Sequence, residues 1–234
     1  MKIRVYKYDP AVDAAPYYIE GEVAWRKSMT ALEALVEFHE NVQAVNFDYS
    51  CSCRLCGRCT MMLNGEPAYI CVTPIDNKDY TFEPLEGYPV IRDLTVDKSS
   101  LDNLLSTIFN RVRIEPFTKE TIVPATFNPS HREHLYASEF CTRCGACTPK
   151  CQGLEAFPNE FVGPAAMLAI AYRFFDPLDQ ADRVMEAVSN GLYRCNMCGN
   201  CDIYCAQQDI KHLEIWQMLR DEAARRGIVP SYEK

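Results

Sequence analysis

Cys51-Ser-Cys53-Arg-Leu-Cys56-Gly-Arg-Cys59, with a further cysteine at Cys71, is the stretch on which the reading of this chain turns. Cys51, Cys56 and Cys59 are spaced C-x4-C-x2-C and Cys71 follows after a gap, the plant-type pattern for a 2Fe-2S cluster. Three thiolates must wrap one small cluster, and Gly57, inside the Cys56–Cys59 pair, lets the backbone come close to the sulfurs. Cys53 lies outside the pattern and reads as a loop thiol, with exchange for a ligand as the alternative. Further along come Cys141, Cys144, Cys147 and Cys151, then Cys195, Cys198, Cys201 and Cys205. Both groups read C-x2-C-x2-C-x3-C, the bacterial ferredoxin pattern, in which the fourth cysteine of each motif serves the other cluster.

Three ligand sets follow. Cys51, Cys56, Cys59 and Cys71 are expected to hold a 2Fe-2S cluster. Cys141, Cys144, Cys147 and Cys205 are expected to hold a 4Fe-4S cluster, and Cys151, Cys195, Cys198 and Cys201 a second one. Iron is thus the expected metal, bound through these cysteines, and Cys53 is the one left over from thirteen. Scattered buried thiols would not cluster in this way. Structural zinc sites favour pairs of C-x2-4-C, often mixed with histidine, and His39, His131, His134 and His212 take no ligand position here. Arg54, Arg58, Arg143, Lys150 and Arg194 neighbour the ligands in sequence and can offset cluster charge, although solvated surface charge is the plainer reading of each.

The composition agrees with a folded protein. Over 234 residues, 48% are hydrophobic and 24% charged, with 24 basic against 32 acidic residues and a net charge of −8. That balance excludes a disordered tail and disfavours sequence-independent nucleic-acid binding. The opening MKIRVYKYDP lacks the apolar core of a signal peptide, and no run approaches the length of a membrane span. A reducing cytoplasmic location is expected, in which stable disulfides are rare.

The N-terminal part reads as β-rich. Ile3 and Val5 alternate with Arg4 and Tyr6, Tyr17–Val23 reads as a partner strand, and Thr60–Leu63, Asn64-Gly65 and Pro67–Cys71 read as a hairpin. Asp79–Glu83 and Tyr88–Ile91 read as further strands. Between them Thr30 and Glu33 form a capping box before Leu32, Leu35, Val36 and Phe38. Leu101, Leu104, Leu105 and Ile108 keep helical spacing, and a proline-bearing stretch from Glu115 to Ser130 reads as a connector. Beyond it Ala165–Phe174, Asp182–Val188 and Leu213–Arg225 read as helices. The expected fold is α+β: a β-grasp 2Fe-2S ferredoxin domain over residues 1–114, then an all-α ferredoxin-like domain with two cubane-type clusters over 115–234. There is no G-x-G-x-x-G, P-loop or Ser-His-Asp set, so no catalytic site is expected on the chain itself.

The same residues identify a resemblance. Cys51–Cys59 with Met61, Asn64-Gly65 and Cys71 resembles the 2Fe-2S loop of the iron-sulfur subunits of succinate dehydrogenases and fumarate reductases. Pro84-Leu85, Pro89 to Leu94 and Val96-Asp97 are similar to that family's next run. Phe161 to Ala166, Tyr172-Arg173, Asp176, Tyr193 to Cys195 and Cys201-x3-Cys205 resemble its C-terminal part. The resemblance implies a FAD-containing catalytic partner subunit, and usually a membrane anchor or other electron-carrier subunit that would place the chain peripherally on the cytoplasmic side. It implies electron relay between that FAD and an external quinone or low-potential carrier, with fumarate and succinate as the default pair.

Three departures stand out. Most of the family lacks a cysteine at the position of Cys198 and holds a 3Fe-4S cluster, so Cys198 points to a second 4Fe-4S, with 3Fe-4S as the alternative. Gln152 and Ala206 stand where proline is usual. Glu155, Ala156 and Asn196 stand where quinone-linked members carry Trp and His. Another flavin-dependent reductase of an unsaturated acid or acyl substrate, or a heterodisulfide-reductase-like carrier, is the competing function, and the plant-type loop argues against the last.

Overall fold

The computed structural model describes residues 1–114 and 129–230. They divide into two compact units, Met1–Ser100 with Thr142–Pro149, and Leu101–Cys141 with the chain from Lys150 on. The connector expected at Glu115 to Ser130 lies outside the described residues as far as 128. Its last two residues open a helix instead, with Pro129 at the first helical position, where a missing N–H costs nothing.

The first unit is a mixed five-stranded sheet in β-grasp order. β1 (Lys2–Lys7) pairs antiparallel with β2 (Tyr17–Glu22) and parallel with β5 (Tyr80–Glu83). β3 (Thr60–Leu63) runs antiparallel to both β4 (Glu66–Tyr69) and β5, so the spatial order is β2-β1-β5-β3-β4. The alternation seen in the sequence is real: Ile3 and Val5 are buried on one face of β1. They pack with Phe82 of β5 and with Leu35 and Phe38 of α1 (Ala31–Asn41). The capping box forms as expected, with Glu33 N–H donating to Thr30 Oγ1 at 3.3 Å and Thr30 N–H to Glu33 Oε2 at 2.7 Å. Asn64 and Gly65 both take positive φ, 52° and 77°, which matches the hairpin turn to the twist of its strands. A ribbon of β6 (Val90–Arg92) and β7 (Thr95–Val96) completes the unit, β7 being too short to leave a periodic signal.

Asp93, which follows β6, is 1% exposed. Its carboxylate accepts from the Tyr8 N–H at 3.1 Å, the Asn46 N–H at 2.8 Å and Lys7 Nζ at 2.7 Å. One buried acid thus ties the end of β1 to the segment that enters the first cysteine loop.

The helices of the second unit are α2 (Ser99–Ile108, whose first residues belong to the first unit), α3 (Pro129–Glu139), α4 (Gln152–Ala156), α5 (Pro164–Phe175), α6 (Arg183–Ser189), α7 (Asn200–Ile203) and α8 (His212–Arg225). Ala165 to Ala171 of α5 are all buried, and α3, α6 and α8 pack around that helix. Two buried ion clusters brace the unit. Asp176 accepts from Arg111 and Arg173, and Arg183 binds Asp179, Glu186 and the carbonyl of Asn110. Among the described residues no helix is long and apolar enough to cross a membrane.

Candidate metal centres

The first cysteine loop leaves α1, runs through residues 42–59 and ends in β3. Three of its residues are left-handed, Ser52 at φ 52°, Arg54 at 67° and Gly57 at 69°. A non-glycine residue in that conformation costs about 1–2 kcal/mol, so two within three positions mark a backbone bent for a purpose. The purpose is visible at Cys51. The N–H groups of Cys53, Leu55 and Cys56 donate to its Sγ at 3.4, 3.3 and 3.3 Å. Such a concavity of amides suits an anion. The N–H of Cys53, helped by the Cys56 side chain and amide and the Leu55 amide, lowers the Cys51 thiol to about 6. Cys59 and Cys71 are buried beneath the loop. Burial pushes the Cys59 thiol up to about 12, with Cys71 and Cys56 adding to the rise. A buried thiol of that kind ionises when a cation neutralises it. Cys51, Cys56, Cys59 and Cys71 are therefore neighbours. Cys53 is exposed, and its side-chain hydrogen bond to Cys51 shifts its thiol upward from the ordinary thiol range.

The segment 142–149 belongs to the first unit and is fastened there. Lys98 Nζ donates to the Cys144 carbonyl at 2.7 Å, Tyr88 Oη meets Thr148 Oγ1 at 3.0 Å, and Tyr69 bonds Thr142. Gly57 touches it directly, since a β-carbon there would lie 2.8 Å from Cys144 Cβ. This segment carries Cys144 and Cys147, whereas Cys141 and Cys205 belong to the second unit.

In the second unit Cys151, Cys195, Cys198 and Cys201 line one small cavity, together with Phe161 and Trp216. Segments far apart in sequence meet there because two side-chain amides stitch them. Asn200 Nδ2 donates to the Lys150 carbonyl at 2.7 Å, and Asn196 Nδ2 to Gln152 Oε1 at 2.6 Å. Gln152 and Asn196 are two of the departures from the family's usual residues, and the structure pairs them with each other. Burial pushes the thiols of Cys151, Cys195 and Cys201 up, with the charge of Asp202 adding at Cys201.

The two ferredoxin-type motifs share a backbone device. Cys144 lies between left-handed Arg143 and Gly145, and Cys198 between left-handed Met197 and Gly199. An amide two residues on donates to a cysteine in each, Ala146 to Cys144 Sγ and Met197 to Cys195 Sγ, both at 3.4 Å. At Cys51, Cys144 and Cys195 backbone amides donate to cysteine sulfur, a sulfur-rich, amide-lined chemistry that suits iron-sulfur clusters.

Sequence reading does not find Asp202 and His212. Asp202 accepts from the N–H of His212 at 2.6 Å and of Leu213 at 3.2 Å, and thereby caps α8 from ten residues upstream. Its third hydrogen bond is to His212 Nδ1 at 2.8 Å. Burial opposes the charge on Asp202, but these bonds hold its carboxyl below the usual range. Cys201, Asp202 and His212 lie within 4.8 Å of one another. With its carboxylate spent on the helix, Asp202 reads as a cap. Of the basic neighbours, Arg194 pairs with Glu160 at 2.5 Å on the surface, as the plainer reading expects.

Fold and sites together define an iron-sulfur protein in two parts. Residues 2–103 match the model of a 2Fe-2S iron-sulfur cluster binding domain and residues 137–208 that of a 4Fe-4S dicluster domain. The fumarate reductase iron-sulfur subunit of Escherichia coli is 31% identical over 218 residues, covering 88% of this chain and 86% of that protein. A subunit of the fumarate reductase (CoM/CoB) of Methanothermobacter marburgensis is 27% identical over 98% of this chain, which spans only 46% of that longer protein. A chain of the Mycobacterium smegmatis Sdh1 complex in the apo form has the same fold, with a TM-score of 0.80 at 22% identity over 98% of both chains. The chain belongs to the family of fumarate reductase and succinate dehydrogenase iron-sulfur subunits.

Proposed function

We propose that the chain is the electron-transfer subunit of a fumarate reductase-like or succinate dehydrogenase-like complex, relaying electrons between FAD on a catalytic partner subunit and an external carrier. The observation that carries this reading is the gathering of Cys151 with Cys195, Cys198 and Cys201 at one cavity, in a chain that also holds a loop whose amides converge on Cys51. The bound clusters would supply one-electron chemistry. The chain's own residues supply the rest: thiolates to hold iron, amides to offset cluster charge, and buried apolar walls to limit water. The proposed ligands are Cys51, Cys56, Cys59 and Cys71 for a 2Fe-2S cluster, Cys141, Cys144, Cys147 and Cys205 for a 4Fe-4S cluster, and Cys151, Cys195, Cys198 and Cys201 for a second 4Fe-4S cluster. A peripheral place on the cytoplasmic side, through a partner or an anchor, belongs to the same proposal. Asn196, which stands where quinone-linked members carry His, bonds Gln152, and this departure supports a low-potential carrier over a quinone.

EPR of the anaerobically purified protein tests the reading. An oxidised sample that is silent, and that shows 2Fe-2S and interacting 4Fe-4S signals after dithionite, is expected. A strong signal from an intact oxidised 3Fe-4S cluster would remove Cys198 from the ligand set and return the protein to a quinone-linked scheme. Absence of acid-labile sulfide would overturn the reading altogether.

A further inference from the structure

Trp216 lines the cavity that gathers Cys151, Cys195, Cys198 and Cys201. It is 1% exposed, and its indole Nε1 is buried with no acceptor among the described residues, cysteine sulfurs included. Leaving a buried N–H unpaired is costly, and nearly all such groups in folded proteins find a partner. The chain's other tryptophan obeys that rule, since Trp25 Nε1 donates to the Ile75 carbonyl at 2.9 Å. His212, Trp216 and Arg220 are spaced four apart and share one face of α8. His212 is engaged by Asp202. Arg220, whose Nε is also unpaired, uses Nη2 on the carbonyls of Leu192 and Cys195. Trp216 sits between them, lines the cysteine cavity, and presents a donor that packing does not require, because Phe or Leu would fill a core position as well.

We propose that the Trp216 indole N–H donates a hydrogen bond to an inorganic sulfide of the cluster bound at Cys151, Cys195, Cys198 and Cys201, and that this bond raises the centre's reduction potential. The inference rests on the cluster reading above. Reduction makes the cluster more negative, and a donor stabilises the more negative state more. The surrounding cysteines supply no acceptor of their own, so the bound cluster is the partner that completes the site.

The test is a redox titration of the holoprotein followed by EPR, comparing wild type with Trp216→Phe. At the wild-type midpoint the ratio of oxidised to reduced centre is expected to rise about three- to tenfold in the variant, tenfold being about 59 mV for a one-electron couple. The 2Fe-2S signal should titrate unchanged. A variant with wild-type iron and sulfide content and an unmoved potential would overturn the inference. Should the variant lose its cluster, wild-type protein labelled with indole-15N tryptophan decides by pulsed ENDOR on the reduced centre. A 15N coupling that survives Trp25→Phe is expected, and its absence overturns the proposal. If Cys195→Ser leaves iron and sulfide content unchanged, the cluster reading itself fails, which is a separate outcome.

Discussion

Gly57→Ala should destabilise the first unit far more than an alanine at an equally left-handed glycine elsewhere. Gly57 has φ +69°, and a β-carbon there would lie 2.8 Å from both Cys144 Cβ and Thr142 Oγ1 and 3.2 Å from Cys144 Cα. Carbon atoms pack at about 3.5 Å or more, so about 0.7 Å of clearance is missing. A side-chain tip could swing away, but Cys144 is held at its backbone by Lys98. Two costs add. The left-handed conformation costs an L-residue about 1–2 kcal/mol, and forcing a methyl into a filled space costs about 1–3 kcal/mol. The expected loss is about 2–5 kcal/mol. Gly65 is the control, with φ +77° and no heavy atom within 4 Å of its would-be β-carbon, so Gly65→Ala bears only the first cost. The difference, about 1–3 kcal/mol, belongs to the approach of the first cysteine loop to residues 142–149. Anaerobic urea unfolding of the cluster-loaded protein, followed by far-UV circular dichroism and by visible cluster absorption, measures both variants. Equal losses at the two positions would refute the close approach, and with it the account of why glycine stands between Cys56 and Cys59.

Other expectations follow from single features. Cys198→Ser should leave an oxidised 3Fe-4S EPR signal with iron content lowered accordingly, and an unchanged cluster type would remove Cys198 as a ligand. Thr30→Ala removes the capping box of α1 and should cost about 1 kcal/mol in urea unfolding, with no change in cluster content. Asp179→Ala leaves the buried Arg183 short of its main partner and should cost about 3 kcal/mol. Burial opposes ionisation of Asp179, but its bonds from Arg183 and from the Ala181 and Val112 amides outweigh that and hold its carboxyl below the usual carboxylate range. Its contribution is therefore full above about pH 4 and fades as pH falls through the lowered value. Stability curves of wild type and Asp179→Ala should converge on the acid side, and parallel curves would contradict this assignment. Gln152→Ala and Asn196→Ala break one shared hydrogen bond, so their effects on loss of the cluster at Cys151 should be clearly less than additive, as a double-mutant cycle would report.

The cysteine spacings, the period-two strands, the Asn64-Gly65 turn and the Thr30 capping box are all legible along the chain, because each depends on residues a few positions apart. The helical part is harder to read where its signal is weak. α3 buries only His134, Ala137 and Ser138, a stripe too polar to stand out, so its first turn reads as connector. α7 and β7 are too short to show a period. Asp93, Asp202 and Arg183 look like ordinary surface charges in sequence, and nothing local tells that each is engaged by partners ten to 86 residues away.

Cysteine type and spacing are enough to set the metal chemistry, since they limit which clusters a loop can wrap. The order of the parts, a sheet with one helix and then a helical body, is likewise written along the chain, because hydrophobic period follows from backbone geometry. How the sites are furnished is a matter of packing. Folding brings Cys151 to the cavity of Cys195, Cys198 and Cys201, pairs Gln152 with Asn196, presses Gly57 against Cys144 and leaves the Trp216 N–H without an acceptor among the described residues. Each of these depends on segments distant along the chain. Such contacts arise from close packing and from the need to satisfy buried polar groups, and they leave no periodic trace in the residues that make them.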